Sequence, residues 1–203
     1  MTSLPADRPT LFVFAGPNGS GKSTAYRDTE IEAGERTIWI VNPDILAARI
    51  RDTEAMPLDV ANLAAVQRIE RWLEASIEVH KTVGVETVLS TDKYRRLVAR
   101  AKTLGFLIHL IYVILDSPDR NVERVRLRVQ HGGHDVPEDR IRSRYQRSLE
   151  QLPWFLAAAD MALIYDNSGA KPHLMAEKRN NEIWVYPNVM PLIAQAIETA
   201  SAI

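Results

Sequence analysis

The stretch Gly16-Pro17-Asn18-Gly19-Ser20-Gly21-Lys22-Ser23-Thr24 constrains this chain more than any other. A glycine, four residues, then Gly-Lys-Ser is the full spacing of a phosphate-binding loop, and each position has a chemical reason. Glycines at 16, 19 and 21 permit backbone conformations that a side chain forbids, so successive amides can turn inward on one anion. A helix expected over 22–33, free of breakers until Gly34, adds its N-terminal amides to the same cradle. The apolar run Leu11-Phe12-Val13-Phe14-Ala15 supplies the strand that precedes such a loop. Lys22 is placed to reach the β- and γ-phosphates of a nucleoside triphosphate, and the Ser23 hydroxyl to hold Mg2+. A glycine-rich turn with an incidental lysine is the competing reading, and it loses to the complete pattern in its strand-and-helix context. All nine residues are therefore the candidate site for ATP or GTP.

With 203 residues the chain suits one α/β domain over 1–203, with a flexible leader at 1–9. Its 25 basic and 26 acidic residues nearly cancel, which argues against nucleic acid or an anionic membrane surface as partner and makes any anion site local. Zero cysteines exclude disulfides and thiolate metal sites. No apolar run approaches the ~20 residues of a membrane helix, so we expect a cytoplasmic protein with no membrane contact.

The short run 37–41 is rich in β-branched and aromatic residues and is expected as a parallel strand ending at Asn42-Pro43-Asp44. Residues 58–81 carry Leu63, Val66, Ile69, Leu73 and Ile77 at helical spacing, a core-facing stripe. A third strand over 84–91 ends in a polar cluster, a helix over 92–104 is closed by Gly105, and 106–115, the most apolar segment, is the expected central strand. Asp116-Ser117-Pro118 opens a polar helix to Gln130, and a second helix spans 138–149. A strand at 161–165, a strand or hairpin at 176–186 and a helix at 190–203 complete the chain. Strands alternating with helices imply an α/β fold of the P-loop NTPase, nucleotide kinase-like type, a parallel sheet with helices on both faces and a helical lid near 120–150.

Phosphoryl transfer is mostly positioning and charge stabilisation, with one acidic group to orient or deprotonate the acceptor hydroxyl. Asp44, just past the strand that follows the loop, fits that role, and it equally fits capping a helix that starts at Ile45. Glu86 and Thr87, with Ser90 and Thr91 beyond, suit gripping a polyhydroxylated acceptor or the outer-shell waters of Mg2+. Capping of the next helix by Ser90, Thr91 or Asp92 is the plainer alternative. No run of four apolar residues leads directly into a pair of acids, which favours a kinase over an ATP-driven machine. Arg120, Arg124, Arg126 and Arg128 precede Gly132-Gly133, and Arg140, Arg142, Arg144 and Arg147 follow it. In a phosphate-binding protein this density suggests a lid that closes cations over the transferring phosphate; solvated helices with ion pairs to Glu123, Glu138, Asp139 and Glu150 are the alternative. His131 and His134 lack the further ligands of a zinc site and suit phosphate or lid contacts, while His109, alternating within an apolar strand, is expected as a satisfied core histidine.

Four blocks in this order, the loop, Asn42-Pro43-Asp44, Glu86-Thr87 with Ser90, and 128–147 with Gly132-Gly133-His134 and Arg144-Tyr145, resemble the zeta toxins and their short zeta-like relatives, phosphate-loop kinases of bacteria. The resemblance implies phosphorylation of UDP-N-acetylglucosamine on a sugar hydroxyl with ATP or GTP, and a small helical antitoxin as a possible partner. It implies Lys22 and Ser23 on phosphate and Mg2+, Asp44 as base, Glu86 and Thr87 in the acceptor pocket, and Arg128 and Arg144 as lid arginines, with Arg140 a rival for the second. The Gly-Gly-His element and the missing arginine near Ser90 depart from the family pattern. Kinases of another acceptor (an antibiotic, a nucleoside or a polynucleotide end) and a nucleotide-binding switch without transfer are the other functions compatible with these residues.

Overall fold

The computed structural model describes residues 8–23 and 38–203. Thr24, Thr37, positions 1–7 of the leader and the helix expected beyond Ser23 lie outside the described residues. Among the described residues are the strands β1 (Thr10–Ala15), β2 (Trp39–Val41), β3 (Val83–Thr87), β4 (Leu107–Ile114), β5 (Met161–Asp166), β6 (His173–Arg179) and β7 (Glu182–Val185). The helices are α1 (Pro43–Glu54), α2 (Leu58–Glu78), α3 (Arg95–Thr103), α4 (Pro118–Gln130), α5 (Glu138–Ala158) and α6 (Pro191–Ser201). The strands form one sheet in the order β2-β3-β1-β4-β5-β6-β7. The first five run parallel, and the β6–β7 hairpin adds two antiparallel strands at one edge. From β1 the chain goes first toward β2 and β3 and later to β4 on the opposite side. The carboxyl end of β1 is thus the switch point where open α/β sheets take their ligands.

Every residue of β1 is buried, with Leu11, Val13 and Ala15 in the larger core and Phe12 and Phe14 in a second cluster on the other face. Alternation of side chains across the sheet explains that division. The apolar segment expected as the central strand is β4, fourth of seven. Gly105 closes α3 as expected: at φ 83 it lets the Phe106 amide turn back to the Ala101 carbonyl at 3.0 Å.

Three expectations are corrected. The third strand stops at Thr87 rather than Thr91, because the chain turns at Leu89, which sits at φ 57 with its side chain buried. The stripe on α2 is only partly core: Ile69, Leu73 and Ile77 are buried, but Leu63 is 60% exposed. At that end Ala61 and Ala65 pack against Ala47 and Ile50 of α1, and the three alanines let the two helices approach. His109 packs against the Phe12 ring at 5.2 Å, but its buried Nδ1 has no hydrogen-bond partner, so it is not satisfied.

Candidate functional site

The loop leaves β1 and folds under itself. Gly16 and Gly21 have φ of 141 and 91, and a Cβ on either would overlap the Val113 carbonyl oxygen or the Asn167 Nδ2 respectively. Lys22, 6% exposed, donates from Nζ to the carbonyls of Gly16 at 2.8 Å and Pro17 at 3.0 Å. Burial lowers its pKa; Glu86 and Asp44 act to raise it, and Arg128 and Arg144 to lower it further. Two side chains from later in the chain pin this backbone, and a third holds one of them. Asn121 Nδ2 donates to the Asn18 carbonyl at 2.6 Å, Asn167 Nδ2 to the Ser20 carbonyl at 2.8 Å, and Arg124 Nη2 to the Asn167 carbonyl at 2.7 Å. Sequence reasoning missed Asn121 and Asn167. Asn167 directly follows a parallel strand, the one signal that could have found it; nothing in its neighbourhood marked Asn121.

Beside the loop lies a cleft of about 670 Å³. It brings together Asn18, Gly19, Gly21, Lys22, Ser23, Asp44, Glu86, Thr87, Ser90, Thr91, Arg128, Arg140 and Arg144. Gly16, Pro17 and Ser20 belong to the loop but do not line the cleft. Glu86 stands at the carboxyl end of β3, level with Phe14 of β1, and its Oε2 accepts from Ser23 Oγ at 2.9 Å and Asn42 Nδ2 at 2.7 Å. Asp44 is not the cap of its helix. Asn42 is, accepting from the Asp44 and Ile45 amides, so the Asp44 carboxylate is exposed in the first turn of α1. Nor do Ser90, Thr91 or Asp92 cap α3, which starts after Tyr94 without a side-chain cap. Thr87 Oγ1 instead accepts from the Leu89 amide at 3.0 Å and holds the turn that carries Ser90 and Thr91 to the cleft.

The arginines divide by helical face. Arg124 and Arg128 on α4, and Arg140 and Arg144 on α5, are i,i+4 pairs, and all four line the cleft. Arg144 Nη1 donates to Asn18 Oδ1 at 3.2 Å, and Arg128 Nη2 to the His134 carbonyl at 2.6 Å. Burial lowers the Arg144 pKa, and Asp44 acts to raise it. Arg120, Arg126 and Arg142 turn outward to Asp116, Glu138 and Asp119. Those exposed pairs are screened by solvent and add little stability, too little to explain the arginine density by themselves. The lid and the solvated ion-pair readings thus describe different members of one set. His134 lines the cleft, whereas His131 Nδ1 lies 2.7 Å from the Leu127 carbonyl.

A parallel sheet with a glycine-rich loop at its switch point and arginine-bearing helices across from it is the fold of the P-loop kinases. The chain belongs to the AAA domain family AAA_33, whose profile matches residues 11–152. A Haemophilus influenzae protein of unassigned function is 27% identical over 134 residues, 65% of this chain and 89% of that protein. Among solved structures, a chain of the PezAT chromosomal toxin–antitoxin system of Streptococcus pneumoniae superposes with a TM-score of 0.63 at 15% identity, covering 82% of this chain and 70% of that one. The AvrRxo1-ORF1:AvrRxo1-ORF2 complex with sulphate ions gives a TM-score of 0.70 at 15% identity over 96% of this chain and 64% of its own. At these identities the structural matches show a shared fold. No helix among the described residues is long and apolar enough to cross a membrane.

Proposed function

We propose that this chain is a cytoplasmic kinase that transfers the γ-phosphate of ATP or GTP to a hydroxyl of a small molecule, with UDP-N-acetylglucosamine the first acceptor to try. The observation that carries this reading is the meeting of Asp44 with Lys22, Ser23 and two pairs of lid arginines in one cleft. In this reading Asp44 accepts the proton of the acceptor hydroxyl as its oxygen bonds to the γ-phosphorus. The bond from that phosphorus to the β–γ bridging oxygen breaks, and the diphosphate leaves with the electron pair. Lys22 and the loop amides hold the β- and γ-phosphates, while Arg128 and Arg144, with Arg140 and Arg124 beside them, stabilise the charge of the transferring group. Glu86 belongs with Ser23 at the metal end, and Thr87, Ser90 and Thr91 face the acceptor.

The pair Ser23 Oγ and Glu86 Oε2 offers hard oxygen donors side by side, which fits Mg2+. Among the described residues no cluster of three or more His, Cys, Asp or Glu could hold a metal ion. When bound, Mg2+ neutralises phosphate charge. The resemblance to zeta toxins and the likeness to a toxin–antitoxin chain support a search for an antitoxin partner by co-purification.

The test is incubation of the purified protein with magnesium-ATP, with and without UDP-N-acetylglucosamine, followed by mass spectrometry for an acceptor heavier by one phosphate. Asp44→Asn is expected to abolish that product while magnesium-ADP binds as before. Nucleotide turnover untouched by Asp44→Asn would mean a binding switch or hydrolase instead, and transfer to a different metabolite would move the acceptor without moving the chemistry.

A further inference from the structure

Asn42 uses both ends of one amide. Its Oδ1 accepts from the backbone amides of Asp44 at 2.9 Å and Ile45 at 3.3 Å. Its Nδ2 donates to Glu86 Oε2 at 2.7 Å, the same oxygen that accepts from Ser23 Oγ. Backbone amides can only donate and an ionised carboxylate can only accept, so a flipped amide would lose all three contacts, and its orientation follows from chemistry. Asp, Ser and Thr cap helices as well as Asn or nearly so. Asn alone among them carries an acceptor for the helix and an N–H donor for Glu86 on separate atoms.

The bridge falls at the edge of the sheet. Among the described residues β2 is a three-residue edge strand paired with β3, and Asp44 itself is exposed rather than packed. α1 rests on α2 through Ala47, Ile50, Ala61 and Ala65, and Leu46 packs on the main core, contacts that hold the helix body, while its cap fixes the N-terminal turn that carries Asp44. We propose that Asn42 is a positioning residue: it ties the helix start that carries Asp44 to the Glu86 carboxylate that meets Ser23. It thereby sets where the acid of the acceptor side stands relative to the phosphate end of the cleft. The kinetic consequence rests on the kinase reading above; the contact itself does not.

Asn42→Asp keeps the cap but turns the donor into a second carboxylate against Glu86. Asn42→Asp combined with Glu86→Gln restores a donor–acceptor pair with its polarity reversed. Asn42→Ser keeps a cap and adds no charge. In thermal melts, Asn42→Asp is expected to lower Tm by about 3–6 °C, Asn42→Ser by about 2 °C or less, and the double variant to recover at least about half of the Asn42→Asp loss. In the transfer assay with magnesium-ATP and UDP-N-acetylglucosamine, both single variants are expected to lower kcat by roughly 10- to 100-fold with the KM for ATP within about threefold of wild type. No recovery of Tm in the double variant overturns the bridge. A recovered Tm with wild-type kcat in both single variants makes the bridge purely structural and overturns the positioning role. A wild type that transfers phosphate to no acceptor overturns the kinase reading and the positioning role together, while the melts still decide the contact.

Discussion

Gly21→Ala tests whether the loop is held as tightly as its contacts indicate. At φ 91 an L-side chain costs about 1–2 kcal/mol in backbone strain. The new methyl overlaps Asn167 Nδ2, the flexible end of a side chain, so Asn167 can swing away, but only by giving up its hydrogen bond to the Ser20 carbonyl, worth about 1 kcal/mol. The sum, roughly 2–3 kcal/mol, corresponds to a fall in Tm of about 5–10 °C for a chain of this length. Asn167→Ala alone loses the bond without the strain and should lower Tm by about 2–4 °C. Because the same bond is lost in both, the double variant should melt close to Gly21→Ala rather than at the sum of the two losses. Differential scanning calorimetry reads the stabilities, and isothermal titration with magnesium-ADP reads the loop, where Gly21→Ala is expected to weaken binding by at least about tenfold as the cradle amides shift. Strictly additive Tm losses, or a Gly21→Ala protein that melts and binds like wild type, would refute the reasoning.

Arg128→Ala and Arg144→Ala should each slow transfer on the order of 10²-fold or more, with the Kd for magnesium-ADP within about fivefold of wild type; unchanged turnover in both would remove the lid arginines from the reaction. Burial pushes the His109 imidazole down to about 4 from its usual 6.5. As pH falls below 6.5 the unfolded chain therefore takes up a proton that the folded one refuses, and stability is lost until both forms are protonated near pH 4, up to about 3 kcal/mol in all. Urea unfolding at pH 7.5 and 4.5 should show His109→Leu losing less stability between the two than wild type does, and equal losses would exclude His109 as the source.

The sequence announced what depends on local pattern. The loop, its strand, the apolar β4 and the Gly105 stop each follow from a few adjacent residues, and each stands where expected. What it did not announce are contacts between distant segments. Ser23 and Glu86 meet only because β1 and β3 are neighbours in the sheet, and neither residue's surroundings specify that pairing. The cap of α1 belongs to Asn42 and not Asp44 because Pro43 fills the first helical position, which moves the helix start two residues upstream of the expected Ile45. Leu63 misled because size suggests burial, while the α1–α2 contact selects alanine for close approach. The arginines could be counted from the sequence but not sorted: which of them face the cleft depends on how α4 and α5 cross, and only then do the i,i+4 pairs 124/128 and 140/144 stand out.

Lys22 is where the charges of the cleft meet, and under the kinase proposal the arginines beside it are expected to matter more for turnover than for affinity. Its proton is disfavoured first by burial, and then by the positive fields of Arg128 and Arg144, against which Glu86 and Asp44 act. In the proposed reaction a phosphate group set among these cations would turn their mutual repulsion into shared attraction. Replacing one arginine by alanine relieves Lys22 in the free and the bound protein alike, so that relief cancels in Kd and only the lost attraction to the phosphates remains. In the proposed reaction the arginines meet the γ-phosphate, which ADP lacks, so the Kd for magnesium-ADP is expected to stay nearly level. During transfer, charge redistributes over the migrating group and the leaving oxygen, and no relief at Lys22 replaces a guanidinium that was stabilising it. The loss therefore falls on the transition state and appears in kcat.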